Sequence, residues 1–268
     1  MLTLGWFSTG RGEGSLGLLR MAQEAIGRGE LEARIQFVFS DREPGEAEGS
    51  DRFFQQVHSY GIPLVTCSSQ RFRRERGGGS ISRHRLDFDR EVMRRLEGFD
   101  PDLCVLAGYM LIVGPEMCRR YPMINLHPAL PDGPVGTYQE VIWKLIEERA
   151  DRAGAFIHLA TEELDRGPAL TYCSFSLRGP AFDPLWREME GRSIEDLKAR
   201  EGETLPMFQL IRQEGVRRER PLLLATVKAI AAGELRVDGR RVLDSQGRAT
   251  TSALCLDQAV ERALQGSP

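Results

Sequence analysis

The sequence predicts an α/β fold: a Rossmann-like, open, twisted and mostly parallel sheet flanked by helices. Three observations carry that expectation. Short apolar runs rich in β-branched and aromatic residues alternate with segments of helical periodicity through the first half of the chain. Leu103–Ala107 is a continuous apolar run of the kind buried on both faces of a central strand. A glycine-rich loop separates the first apolar run from the first amphipathic segment, as in nucleotide-binding α/β folds.

The elements follow in order. Leu2–Ser8 reads as a strand that ends in glycines, and Ser15–Ile26 as a helix with Leu18, Leu19, Ala22 and Ile26 on one side. Ile35–Phe39 is a second strand, closed by Ser40-Asp41 and an exposed polar stretch. A helix over Asp51–Tyr60 and a strand at Leu64-Val65 complete the first β-α-β-α-β run. Gln70–Arg85 combines clustered arginines with Gly77-Gly78-Gly79, a composition that predicts a mobile surface loop and no packed helix. A helix over Leu86–Leu96 leads to the Leu103–Ala107 strand. Met123–Leu126, Phe156–Ala160 and Leu170–Leu177 read as further strands, with a helix at Tyr138–Glu148 between the first two. The last third predicts helices at Asp183–Met189, Ser193–Arg200, Pro206–Gln213 and Pro221–Ala232, then a hairpin over Leu235–Leu243 turning at Asp238-Gly239.

Composition narrows the class. With 268 residues, 41% hydrophobic and 28% charged, the chain is long enough for a real core, which argues against global disorder. Its formal charge of −3 lacks the positive field of a dedicated nucleic-acid binder. Cys67, Cys104, Cys118, Cys173 and Cys255 are scattered with no C-x-x-C pair, so no metal and no disulfide framework is expected. No apolar run reaches the roughly 18 residues of a membrane span, and the N-terminus lacks a signal-peptide pattern. A soluble, cytoplasmic protein is the expectation, with no nucleic-acid or membrane partner and a homodimer among the assemblies allowed.

Gly12, Gly14 and Gly17 form G-x-G-x-x-G between strand and helix. Glycines let the backbone approach an anion, and a helix start offers free N–H groups and a favourable dipole. The loop therefore suits a nicotinamide or flavin dinucleotide, with Asp41 as the ribose-binding acid, or another phosphate. A tight turn without a ligand is the third reading. Glu13 must point outward or be neutralised by Arg11 if a phosphate binds.

Chemistry concentrates further on. Asn125 and His127 stand two apart at the end of an apolar strand, so alternation puts both on one face. Asp165 lies in a loop that follows another strand, where ligands of open α/β sheets bind. Transfer of a one-carbon acyl group to an amine needs a donor to the developing oxyanion, a group that takes the amine proton, and a carboxylate that sets the imidazole's charge. Asn125, His127 and Asp165 supply those three types.

INLHPAL, then ELDRGP, with LAGYM upstream, closely resembles the folate-dependent formyltransferase superfamily, and within it the branch that formylates glycinamide ribonucleotide. The strand and loop FSTGRGEGSL, the strand FVFSD, RLDFDREV before FDPDLCVLAGYMLIV, and RQEG near Pro221 fall in the family's order, to about Leu235. The resemblance implies a formyltransferase domain over 1–235, with a glycine-loop half to 120 and a catalytic half from 121, and an extension over 236–268. It implies transfer from 10-formyltetrahydrofolate, as co-substrate, to a ribonucleotide amine. Asn125 would bond the formyl oxygen, His127 would stabilise the tetrahedral intermediate, and Asp165 would raise the imidazole's proton affinity and relay protons.

The same resemblance assigns Met110, Leu111, Ile112 and Val113, with Ala160, Thr161, Glu162 and Glu163, to the pteridine, through backbone groups mainly. It assigns Gly10, Arg11, Gly12, Gly14 and Ser15 to a phosphate, Arg85 to the formyl and substrate region, and Glu214 to the ribose hydroxyls. His158 also matches a family position, where a structural role is equally open. Departures are visible: the phosphate loop is longer than the usual Gly-x-Gly-Ser-Asn, carries Glu13, and has Leu16 where asparagine is expected. Ala129 replaces a serine, Leu111 an arginine, and the stretch from Leu177 to Leu210 is long. A transferase acting on another amine and a formyl-folate hydrolase share this chemistry; an NAD-dependent oxidoreductase would leave Asn125, His127 and Asp165 unexplained.

Overall fold

The computed structural model describes residues 1–266. The chain folds as two compact units. The first comprises 1–125, 158–168 and 227–251, and the second 126–157, 169–226 and 252 onward.

In the first unit, β1 (Leu2–Phe7), α1 (Glu13–Gly27), β2 (Ala33–Ser40), α2 (Glu48–Ser59) and β3 (Leu64–Thr66) alternate as the sequence predicts. β1 pairs in parallel with β2, and β2 with β3. β4 (Leu103–Leu106) lies in parallel on the other side of β1, with Leu4 opposite Leu103. Phe7, Phe37 and Phe39 are fully buried there, and Phe7 meets Phe37 edge-on with ring centroids 5.8 Å apart. Aromatic side chains on a two-sided strand fill the space against flanking helices.

Part of the 70–85 segment departs from expectation. Ser69–Glu75 forms a helix, α3, whose N-cap Ser68 accepts from Arg71 N at 3.0 Å. Phe72 is buried and packs edge-on against Phe88, at 5.1 Å. A side-chain cap and one buried aromatic outweigh the arginine-rich composition. Gly77, Gly78 and Gly79 then take φ of 85°, 82° and 83°, a turn open to glycine. A single 3₁₀ turn, Ile81–His84, leads into α4 (Arg85–Arg95), and α5 (Pro115–Arg120) precedes β5 (Met123–His127).

In the second unit, α6 (Tyr138–Glu147) opens with a capping box between Thr137 and Glu140. β6 (Arg152–Leu159), β7 (Ala169–Ser176), α7 (Asp183–Glu188) and α8 (Ile194–Arg200) follow. The two helices expected at Pro206–Gln213 and Pro221–Ala232 are one continuous helix, α9 (Pro206–Ala231). Pro221 costs that helix a backbone bond, and the burial of Leu222, Leu223 and Val227 just beyond it keeps the helix continuous. The long 177–210 stretch is part of the core. Phe182, Trp186, Met189, Leu197 and Leu205 pack with Val141, Ile142 and Leu145, and Trp186 Nε1 donates to Leu177 O at 2.7 Å.

β8 (Leu235–Asp238) and β9 (Arg241–Asp244) make the expected hairpin, and β10 (Leu254–Cys255) and α10 (Asp257–Gln265) end the described chain. The order of the eight-stranded sheet is β10-β7-β6-β5-β4-β1-β2-β3. It is mostly parallel; β6 is the exception. Leu159 N donates to Pro168 O and Leu177 N to Asp151 O, so β6 and β7 run antiparallel. Ala160 N likewise donates to Met123 O, which puts the end of β6 beside the start of β5. Among the described residues no helix is long and apolar enough to cross a membrane.

Candidate active site

Asn125 and His127 occupy alternate positions of β5 and so share a face, as their spacing predicts. The antiparallel bond from Ala160 to Met123 fixes what stands opposite them. Counting two residues from that pair places His158 across from Asn125, and opposed residues of an antiparallel pair point to the same face. His158 is buried, its Nδ1 lies 3.1 Å from Leu159 O, and its Nε2 lies 3.5 Å from Asp165 Oδ1. The first unit thus gathers Asn125, His158 and Asp165.

Asp165 reaches that position by a strained route. Its φ is 54°, unusual for a residue with a side chain. Gly167 explains how the loop closes, because a Cβ there would stand 1.7 Å from Leu159 O. The Gly of Asp-Arg-Gly-Pro is therefore a backbone-contact requirement.

His127 belongs to the second unit and is buried, 4% exposed. Its ring meets Phe156 edge-on at 5.4 Å, and Nε2 lies 3.4 Å from Pro134 O. An aromatic wall and a carbonyl fix the plane of the imidazole.

The glycine loop is shaped by packing at one end and open at the other. Gly10 has φ of +66°, and a Cβ there would strike Phe53 at 2.9 Å. Gly49, at the start of α2, lets that helix approach Arg11 O, which a Cβ would meet at 2.5 Å. Nothing lies within 4 Å of a Cβ placed on Gly12 or Gly14. Packing demands glycine at 10 and 49 and makes no such demand at 12 and 14, so those two leave room beside the start of α1. Ser15 is buried against Gly108, and Arg11 is exposed. Asp41 is buried, accepts from Ser69 Oγ at 3.0 Å, and has its pKa raised by burial, a setting unlike an exposed ribose-binding acid.

Among the remaining expected residues, Met110 and Ile112 are exposed, Leu111 is half-buried and Val113 is buried. Met110 N donates to Thr9 Oγ1 at 3.0 Å, which ties this segment to the end of β1. Ala160 and Thr161 are half-buried, and Glu162 and Glu163 are exposed. Arg85 opens α4 beside Asp89, whose Oδ2 accepts from Gly114 N at 2.6 Å. Burial pushes the Asp89 carboxyl up to about 6, against the opposing pull of the Gly114 amide and Arg85. Sequence reasoning passed over Asp89; its signal was an acidic residue on the apolar face of α4, beside Phe88 and Val92. Glu214, on α9 in the second unit, pairs with Arg217 at 2.9 Å and closely with Arg218, which also reaches Glu261 at 2.6 Å.

The formyl transferase family profile matches residues 14–175, more than half of the chain. The chain belongs to the formyl transferase family. A phosphoribosylglycinamide formyltransferase of Haemophilus influenzae is 31% identical over 181 residues, covering 66% of this chain and 71% of that protein. A formyltetrahydrofolate deformylase of the same organism is 31% identical over 124 residues, 45% of this chain and 39% of that one. Across the first three relatives the match spans 39% to 56% of their length. The solved phosphoribosylglycinamide formyltransferase of Coxiella burnetii superposes with a TM-score of 0.63 at 21% identity, over 95% of this chain and 98% of that one. At that identity the likeness speaks for the fold. For this member of the family, the mostly parallel sheet and its helices match the architecture of that solved structure.

Proposed function

We propose that this formyl transferase moves a formyl group from 10-formyltetrahydrofolate to the amine of glycinamide ribonucleotide. The observation that carries the reading is the set of groups on one stretch of sheet: Asn125 and His127 sharing a face of β5, with His158 opposite Asn125 and its ring against Asp165. The reading takes residues 1–235 as the catalytic domain and 236–268 as an extension, in a cytoplasmic enzyme.

The chemistry follows from the groups present. The acceptor nitrogen adds to the formyl carbon, and negative charge develops on the formyl oxygen. The Asn125 amide N–H donates to that oxygen, and a protonated His127 donates as well. Asp165 takes the proton that the amine loses, through water, and favours the charged imidazole. Collapse breaks the bond to N10 of the folate, which leaves with a proton as tetrahydrofolate, and the acceptor departs as a formamide. Exposed Met110 and Ile112 offer apolar surface to a flat heteroaromatic ring, and the backbone of Leu111, Val113 and 160–163 offers polar partners. The loop Gly10, Arg11, Gly12, Gly14 and Ser15 receives the phosphate at the start of α1, with Arg85 near the formyl group and Glu214 on the ribose.

The reading is tested with purified protein and 10-formyltetrahydrofolate, comparing glycinamide ribonucleotide, other amines and water as acceptors. Formylated glycinamide ribonucleotide as the dominant product supports it. Formate released at the same rate with and without amine replaces it by the hydrolase reading, which the deformylase relative favours.

A further inference from the structure

The β8–β9 hairpin lies outside the stretch matched to the family, yet its turn stands against the loop that follows β6. Its base is firmly held. Asp238 pairs with Arg241 and Val237 with Val242 across an antiparallel ladder, and Leu235 and Val242 are buried. Thr250 N donates back to Val242 O at 2.9 Å, and Asp244 Oδ1 accepts from the backbone N–H of Gln246 and Arg248 at 2.9 Å each. Gly239, at φ 59°, makes the tight turn, so the next residue projects from a rigid stem.

That residue is Arg240. Its Nη1 stands 3.3 Å from Glu162 Oε1. Gly239 and Arg240 close a cavity of about 10 Å³ together with Cys118 and Arg119 of α5 and Thr161 and Glu162 of the loop. A space of that size holds no more than about one water. The hairpin turn therefore sits directly on the loop.

The loop needs such a support. Glu162, Glu163 and Leu164 are exposed and contribute little packing, and Asp165 beyond them is held in a left-handed conformation. Backbone recognition of a planar ring works only where the peptide groups are fixed to a fraction of an ångström.

We propose that Arg240, at the tip of the hairpin, is a positioning residue for the folate-binding loop. It fixes Glu162 so that the peptide groups of Ala160–Glu163 are preset for the pteridine of the co-substrate. The inference rests on the functional reading above. Both partners are about half-exposed, so the effect is modest: the scale of a surface ion pair corresponds to at most about fivefold in affinity.

The test measures KM for 10-formyltetrahydrofolate and for the acceptor in Arg240→Ala, Arg240→Glu, Glu162→Arg and the doubly reversed Arg240→Glu/Glu162→Arg. Arg240→Glu is expected to raise the folate KM about threefold to fivefold and to leave the acceptor KM and kcat within twofold. The double reversal restores the folate KM. A folate KM unchanged in Arg240→Glu, or a defect that the double reversal leaves in place, overturns the positioning role. A wild-type protein that neither turns over 10-formyltetrahydrofolate nor binds its stable analogue overturns the functional reading itself, and the two failures are thus distinct.

Discussion

His158 Nε2 lies 3.5 Å from Asp165 Oδ1, joining a buried imidazole in β6 to a carboxylate in a left-handed loop conformation. The contact couples orientation to strain, because Asp165 keeps an uncommon backbone state only where its surroundings hold it. Asp165→Asn and His127→Ala are expected to lower kcat for formyl transfer by at least about a hundredfold, on the scale of acid–base and oxyanion groups. His158→Ala is expected to cost less, roughly tenfold to a hundredfold, since it disturbs the placement of Asp165 and leaves the carboxylate present. Steady-state rates on variants with unchanged far-UV circular dichroism decide the matter. A fully active His158→Ala enzyme would show that Asp165 needs no help from that ring.

Asp89 makes the stability of the first unit depend on pH in an unusual direction. Its carboxyl titrates near 6 in the fold, above the ordinary aspartate value of 3.8, because burial penalises the charge. As pH rises from about 4 to 6 the unfolded chain releases this proton before the folded chain does, so stability falls across that window. The side chain is only 3% accessible, and at neutral pH the ionised form costs about 3 kcal/mol relative to acid. Asp89→Asn keeps an acceptor for Gly114 N and removes the titration. The stability of the variant relative to wild type is expected to rise by about 2 kcal/mol between pH 4 and pH 7.5, read from urea unfolding at each pH. A difference that stays constant with pH would remove Asp89 as its source.

Glu214 carries two expectations that one substitution separates. Burial raises its pKa, but hydrogen bonds from Arg218 and Arg217 outweigh that and hold the carboxyl below the usual glutamate range. Arg218 is itself buried and also bonds Glu261 on α10. Glu214→Gln is expected to lower stability by about 1–3 kcal/mol, the scale of a charged hydrogen bond. It is also expected to raise the acceptor KM with little change in kcat, as loss of ribose binding requires. Loss of stability with an unchanged acceptor KM would leave Glu214 as the anchor of Arg218 alone.

Local signals carried most of the fold, and long-range pairing carried what they missed. Phe37-Val38-Phe39 and Leu103–Ala107 announce buried strands because each residue's burial follows from a pattern within a few positions. Asn125 and His127 could be read as one face for the same reason. That His158 stands opposite Asn125 depends on β6 running antiparallel beside β5, and no pattern inside β6 states its direction. The helix Ser69–Glu75 was hidden because its stability comes from the Ser68 cap and from Phe72 meeting Phe88, while its composition is that of a solvated loop. The unbroken α9 was hidden by Pro221, whose local penalty is real and is overcome by packing along the rest of the helix. The β10 strand and α10 lie too far from other apolar runs in sequence to be paired in advance, and Asp257 docks them by accepting from Ser174 N at 2.6 Å.

Gly167 offers a test of how the Asp165 loop is built. Its backbone passes so close to Leu159 O that a methyl group would overlap the oxygen at 1.7 Å, and Leu159 N at the same point donates to Pro168 O at 2.9 Å. A side chain cannot be accommodated by rotation, because the obstacle is backbone; the end of the β6–β7 pair must open instead. Gly167→Ala is expected to destabilise the protein by roughly 3 kcal/mol and to move Asp165 away from His158, so activity falls more steeply than the folded fraction. Gly12→Ala serves as the comparison, since nothing crowds its Cβ and its φ is 176°, extended backbone that alanine adopts. If a phosphate binds at the start of α1, Gly12→Ala raises the acceptor KM while the unfolding midpoint stays near wild type. A Gly167→Ala protein as stable and active as wild type would mean that the loop tolerates an open turn, and the geometric account of its Asp-Arg-Gly-Pro sequence would fail.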